Sequence, residues 1–378
     1  MAVLNEEQSL LQEQVKNWVS KEASVDIFRA MRDSNNEQCF DPKTWGKIIE
    51  LGWSGILIEE DMGGSSMDYT TFGLVLEEMG RGLTASPLFA SGYVAVSALQ
   101  AANNTDLNQL WLPRIAEGKA IVSLAVDEGP HHRPNVIALK AEASAAGFEL
   151  TGKKCFVIEG AAADAVVVAA RTSDERDSTA GISLFLVPTS TAGISRKALR
   201  TADSRGYANI EFDHVSVAKG ALLGELDQGY RILETTLDRA RAGIAAEMLG
   251  TGCEAFDRIL DYLKTREQFG KLIGSYQALG HRAATAFMDM ELARSCVEAA
   301  LRAIDSNDAD ASYLCSLAKA HAGDFLHTMS NEMIQMHGGI GMTDEFDAGF
   351  FIKRARALES LFGNQAFQRQ HYVSQFGI

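Results

Sequence analysis

The sequence predicts a mostly helical fold with a β-domain set in its middle. The hydrophobic period is helical from Glu6 to about position 118 and again from about 230 onward; between them it gives way to short β-rich runs punctuated by glycine. Turns rather than helices separate those runs, which favours an antiparallel barrel or sandwich over a doubly wound sheet. The expected domains are an N-terminal helical domain (1–118), a middle β-barrel (119–229) and a C-terminal four-helix bundle (230–378).

Length and composition accommodate that layout. The chain has 378 residues, 46% hydrophobic and 22% charged, enough for large cores in two or three domains. With 50 acidic against 35 basic residues the net charge is -15, which argues against general affinity for nucleic acid or an anionic membrane. Cys39, Cys155, Cys253, Cys296 and Cys315 show no metal-ligand spacing and read as reduced, buried thiols of a cytosolic protein. The N-terminus has neither a basic region nor an apolar run, and no segment is long enough to span a bilayer, so a cytoplasmic location without membrane partners is expected.

In the first region, Leu10, Leu11, Val15, Trp18 and Val19 open an amphipathic helix. Asp41-Pro42 starts another, with proline in its first turn. Gly63-Gly64-Ser65-Ser66 reads as a turn, and Phe72 to Gly80 forms the following helix. In the middle region, residues 120–126, 165–170 and 182–188 are strand-like, and no G-x-G-x-x-G follows a strand, which argues against a nicotinamide dinucleotide site. His131-His132 are adjacent on a loop, point apart and have no third ligand at a useful spacing, so no metal is expected.

In the third region, Ile244, Met248, Ile259, Leu260 and Leu263 recur at helical spacing, and Ala283, Ala284, Phe287, Met288 and Leu292 resume it. Gln268-Phe269-Gly270-Lys271 breaks the pattern. Glycine lets the backbone pass close to another group, and Arg266 projects a planar fork suited to two phosphate oxygens. The plainer reading is a glycine-capped helix end with an exposed arginine.

Tyr262, Arg266, Gln268-Phe269-Gly270, Ile273 and Gln277 together resemble the acyl-CoA dehydrogenase family. Gln335 to Thr343 falls where that family keeps a Q-x-H-G-G-x-G loop, and Glu59 to Gly64 resembles its P-E-E-x-G-G loop with Glu59 in the proline position. The resemblance covers nearly the whole chain and implies an FAD cofactor. It implies that Arg266, Gln268, Phe269 and Gln277 hold the diphosphate of FAD in a neighbouring subunit, while Gln335, Gly338 and Gly339 accept its adenosine end. Both would act in trans, within a homo- or hetero-tetramer.

The middle region departs from the family. Where relatives carry T-E-P-x-x-G-S-D, this chain has Val126 to Arg133, without the serine and threonine. In the next flavin segment, Gly152 to Gly160, Phe156 keeps an aromatic and Ile158 replaces a threonine. Backbone amides around Phe156 and Val157 remain able to bond a flavin edge, since they do not depend on side-chain identity. Phe156 reads equally well as core.

The resemblance implies a reaction in which a carboxylate removes the thioester's α-proton while the β-hydride passes to flavin N5. At the usual Y-E-G-T glutamate stand Leu361-Phe362-Gly363-Asn364; at the alternative position, before the diphosphate arginine, stands Ala240. Neither Phe362 nor Ala240 offers a side-chain base, although the N–H of Phe362 can still hold the thioester oxygen. Glu247, two helical turns and about 10 Å beyond Ala240, is the candidate base, with Arg241 supporting flavin or substrate. Desolvation makes a carboxylate more basic provided a polar partner tolerates its charge. The plainer reading of Glu247 is a buried ion pair with Arg239 or Arg241. His281 and His337 read as structural or flavin-shell residues.

A glutamate within this helix, the endings at His337 to Glu345 and Leu361 to Asn364, and the missing Y-E-G-T glutamate are similar to a small-subunit group named for pimeloyl-CoA and to heteromeric dehydrogenases of steroid side-chain breakdown. The expectation is FAD-dependent α,β-desaturation of an unusual acyl-CoA, with an electron-transfer flavoprotein as acceptor. Two alternatives stay open: a catalytically silent subunit that completes an active partner's FAD site, and a flavin oxidase or monooxygenase on the same scaffold.

Overall fold

Helices flank a β-rich middle, as the change of hydrophobic period predicts. The computed structural model describes residues 4–173, 178–374 and 376–377. In chain order the main elements are α1 (Glu6–Glu22), α2 (Val25–Asp33), α3 (Pro42–Glu50), α4 (Tyr69–Arg81), α5 (Val96–Ala102) and α6 (Thr105–Ala116). Then come β1 (Val122–Ala125), β2 (Lys140–Ser144), β3 (Gly147–Ile158), β4 (Ala165–Arg171), β5 (Ile182–Pro188), β6 (Ile194–Leu199), β7 (Tyr207–Ala218) and β8 (Leu222–Leu223). The third part holds α7 (Gly229–Thr265), β9 (Glu267–Gln268), β10 (Lys271–Leu272), α8 (Gln277–Asp305), α9 (Ala311–His337), α10 (Ala348–Ser360) and α11 (Gln365–Ser374). None of the helices described is long and apolar enough to cross a membrane.

The chain divides into two compact units. The first comprises Met1–Ala30, Tyr69–Thr84 and Arg241–Ile378. Two of its helices, α1 and α4, begin where a side chain satisfies unpaired N–H groups. At α1 the Asn5 side chain accepts from Gln8 N at 2.7 Å and Gln8 answers the Asn5 N–H, a reciprocal capping box. At α4 the cap comes from far along the chain: the Asp305 carboxylate, at the end of α8, accepts from Tyr69 N at 2.7 Å and Thr70 N at 3.0 Å. Backbones of α4 and α7 meet at paired glycines. A Cβ on Gly80 would stand 2.2 Å from the Glu247 carbonyl oxygen, and one on Gly250 would stand 1.7 Å from that of Glu77. Thr251 Oγ1 donates to Gly80 O at 3.0 Å and fastens the crossing.

The second unit comprises Met31–Asp68 and Ala85–Ala240. Asp41 caps α3 with Pro42 in its first turn, as the sequence predicts. The sheet runs β6-β7-β3-β2-β4-β5-β8, with β1 beside β4. Most pairs are antiparallel, as turn-connected strands require; β1 and β2 pair with β4 in parallel. Val166, Val168, Phe185, Ile210, Phe212 and Val215 are among the residues that fill its core.

Candidate functional site

The helical pattern breaks where the sequence places the break. Helix α7 ends at Thr265, and Arg266 to Leu272 form a tight β9–β10 hairpin. Its two tip residues, Phe269 and Gly270, both have positive φ (53° and 79°), the backbone that short two-residue hairpin turns demand. Ile273 N donates to Arg266 O at 2.8 Å, and Tyr276 Oη donates to Gln268 O at 3.3 Å, so the hairpin is held at its base. The tip is bare: Phe269 is 93% exposed. Arg266, Gln268 and Gln277 are exposed as well, and the Arg266 guanidinium has no ion pair among the described residues.

The glycine loop follows α9. His337 closes the helix, and Gly338–Met342 form a 3-10 turn in which Gly338 has φ 63° and donates its N–H to Gln335 O. A Cβ added at Gly338 or Gly339 would meet nothing within 4 Å. Internal packing therefore does not demand glycine at 339; a group approaching the backbone from outside would. Tyr262 of α7 lies 4.3 Å, ring to ring, from His337, which in turn lies 4.4 Å from Phe346. This stack ties the start of the hairpin motif to the glycine loop. His337 is buried, its Nδ1 lies 2.6 Å from Met333 O, and burial pushes its imidazole below the usual value.

These features fit a dinucleotide diphosphate. An unpaired guanidinium supplies two parallel donors, and sterically open glycines admit close backbone approach.

Glu247 lies in the middle of α7, 4% exposed, and its Oε1 accepts from Arg354 Nη1 at 3.2 Å. Arg354, 1% exposed, also donates to Leu83 O at 3.3 Å and stands over the Phe28 ring. The described partner of Glu247 is therefore an arginine of α10, one that the sequence did not suggest. Arg239 donates to Ser97 O, and Arg241 is buried with its guanidinium 5.6 Å from the Phe367 ring centre. Arg354 escaped the sequence reading because it is separated from Glu247 by 107 positions and no local period links them. Phe362, at the usual base position, is buried in a left-handed turn with φ 56°.

In the second unit, the loop that replaces T-E-P-x-x-G-S-D is anchored by a histidine–carboxylate contact and a lysine–carboxylate ion pair. His132 Nδ1 sits 2.9 Å from Asp127 Oδ1, while Lys154 Nζ donates to Glu128 Oε1 at 2.7 Å and to Val126 O at 2.9 Å. Among the described residues no three His, Cys, Asp or Glu side chains are grouped to hold a metal. Phe156 is not core: it is 53% exposed at a bulge, with φ 53°, and its N–H is taken by Asn209 Oδ1 at 3.1 Å. Val157 beside it is buried and pairs with Ala208.

Comparison with known proteins covers nearly the whole chain. The sequence matches the acyl-CoA dehydrogenase N-terminal domain over residues 5–119, the middle domain over 127–217 and the C-terminal domain over 227–375. It is 31% identical to the probable acyl-CoA dehydrogenase YngJ of Bacillus subtilis over 97% of both chains. The chain belongs to the acyl-CoA dehydrogenase family. Acyl-CoA dehydrogenases are FAD-dependent oxidoreductases acting on CH–CH bonds. The fold superposes on butyryl-CoA dehydrogenase from Megasphaera elsdenii with a TM-score of 0.92 at 22% identity over the whole of both chains. It also superposes on a chain of the ChsE4-ChsE5 complex from Mycobacterium tuberculosis, with a TM-score of 0.89 at 25% identity, covering 100% of this chain and 99% of that one.

Proposed function

We propose that this acyl-CoA dehydrogenase desaturates an acyl-CoA thioester between its α- and β-carbons, as a tetramer in which each subunit lends its diphosphate grip to a neighbour. The bare hairpin carries the proposal: among the described residues its guanidinium has no ion pair, and the aromatic on its left-handed tip is 93% exposed. FAD, when bound, supplies the hydride acceptor. The other tasks fall to this chain's residues. Arg266 neutralises the diphosphate, with Gln268, Phe269 and Gln277 around it, and Gln335, Gly338 and Gly339 receive the adenosine end. Phe156 and Val157 lie along the strand assigned to the flavin edge. The Phe362 turn presents its N–H to the thioester oxygen, and the Glu247 carboxylate takes the α-proton, held in place by Arg354, while Arg241 supports the substrate side. An electron-transfer flavoprotein is the proposed electron acceptor. The purified chain should be yellow or become so with FAD, and should bleach anaerobically with an acyl-CoA; a chain that never binds FAD in any oligomer refutes the assignment.

The Glu247–Arg354 pair favours a second reading. A carboxylate sealed with arginine, beside Ala240 and Phe362 at both family base positions, suits a subunit whose grip completes the FAD site of an unlike, active partner. The resemblance in fold to one chain of the ChsE4-ChsE5 complex supports it. Bleaching that requires an added unlike subunit, and that survives Glu247→Gln, decides for this reading.

A further inference from the structure

Lys319, on α9, is a buried lysine that the proposed reaction does not use. Among the described residues it has no carboxylate within ion-pair distance. Its Nζ donates instead to backbone carbonyls: Gly363 at 2.9 Å, Leu358 at 3.3 Å and Glu359 at 3.4 Å. Gln368, on α11 and equally buried, donates from Nε2 to Phe362 O at 2.8 Å and Gly363 O at 3.1 Å. Both side chains converge on one short turn. That turn needs holding: Phe362 and Gly363 have φ of 56° and 96°, a left-handed region costly for phenylalanine. A Cβ at Gly363 would stand 2.4 Å from the Phe367 ring, so the turn is also packed tight.

We propose that Lys319, with Gln368, is the positioning residue of the Phe362 turn: the two clamp the carbonyls of Leu358, Glu359, Phe362 and Gly363 and so fix the direction of the Phe362 N–H. This rests on the reading above in which that N–H receives the thioester oxygen. Lys319 acts through the backbone and touches no substrate.

Burial lowers the Lys319 amine to about 7, assisted by the charge of Arg241 on α7 and opposed by Glu359 on α10. Of the groups around these elements, His327 contacts Glu359, His371 of α11 contacts Ser316 of α9, and Arg369 of α11 pairs with Asp324 of α9, while Gln368 is neutral. Opening the turn would hydrate Lys319 and return it toward its ordinary 10.5. The opened state then binds more protons between those values, so opening is easiest near and below pH 7 and grows harder as pH rises.

Hydrogen exchange on the full chain with FAD tests this, with rates corrected for intrinsic pH dependence. In the wild type, protection of the 361–364 amides should rise above pH 7 by up to about tenfold per pH unit, while protection in α8 stays level. Lys319→Met should abolish that rise and lower the turn's protection; His327→Gln and His371→Gln should leave the rise intact. Gln368→Leu should lower the protection but keep the pH dependence, which decides the matter if Lys319→Met fails to fold. A flat wild-type profile, or a rise that survives in Lys319→Met, overturns the proposal. If exchange behaves as expected but butyryl-CoA and longer thioesters bleach Lys319→Met as fast as wild type, Lys319 still positions the turn and the thioester reading of Phe362 is what fails.

Discussion

Arg354 reaches back 107 positions to donate from Nη1 to Glu247 Oε1 at 3.2 Å, and both residues are nearly sealed from solvent. Removing one member of such a pair leaves the other charge buried without compensation. Glu247→Gln or Arg354→Met should therefore cost about 3–5 kcal/mol, read by chemical denaturation, and the double change to methionines should recover much of it. Base function is a separate readout. If Glu247 takes the α-proton, anaerobic flavin bleaching in folded Glu247→Gln should slow by roughly 10²-fold or more, and equal bleaching dismisses it as the base.

Arg266→Ala should lose flavin and keep the fold, because an exposed guanidinium with no ion pair among the described residues contributes to ligand binding rather than to the core. Visible absorbance per mole of folded protein is the measurement. Unchanged flavin content would remove the diphosphate assignment.

Gly250→Ala should destabilise the protein by about 3 kcal/mol, the upper range for overpacking, since the new methyl would stand 1.7 Å from the Glu77 carbonyl oxygen. Denaturant midpoints would register it; a neutral substitution would mean that α4 and α7 do not cross at this glycine.

Acidification should weaken the fold through His337. Its imidazole is depressed when folded, so below the ordinary value of 6.5 the unfolded chain takes the proton first, and stability falls until the folded value is passed. Thermal midpoints measured between pH 7 and pH 5 should drop, and His337→Phe should flatten part of that slope. An identical slope in the variant would remove His337 from the account.

Added FAD should raise the thermal midpoint and stabilise the oligomer, because a ligand gripped in trans binds only the assembly. A monomer in sedimentation that carries a full complement of flavin would contradict the shared site.

The fold was legible where burial makes hydrophobicity continuous or periodic. Strands β1, β4 and β5 are nearly wholly buried and stand out as apolar runs. Strands β3 and β7 are half-exposed and bulged, and β6 is largely exposed, so polar residues interrupt their patterns. The hairpin was legible because Gln268-Phe269-Gly270-Lys271 interrupts the helical period, and its tip needs the positive φ that glycine admits. The surroundings of Glu247 were not, because its partner Arg354 and the glycine crossing beside it depend on contacts between segments far apart in sequence. The exposure of Phe156 was likewise invisible, since a bulge rather than alternation sets its direction.

The first unit is stitched from three separated stretches, Met1–Ala30, Tyr69–Thr84 and Arg241–Ile378. On the ribosome, α4 therefore emerges long before α7, whose Gly250 fits against it, and before Asp305, which caps it. The surface of α4 that meets α7 and α8 must wait uncovered while more than a hundred intervening residues are synthesised and the β-sheet unit becomes free to fold ahead of it. Premature stops or slow translation within α7 or α8 would thus strand a half-built surface of high aggregation tendency, making the nascent chain far more dependent on chaperones than the finished one.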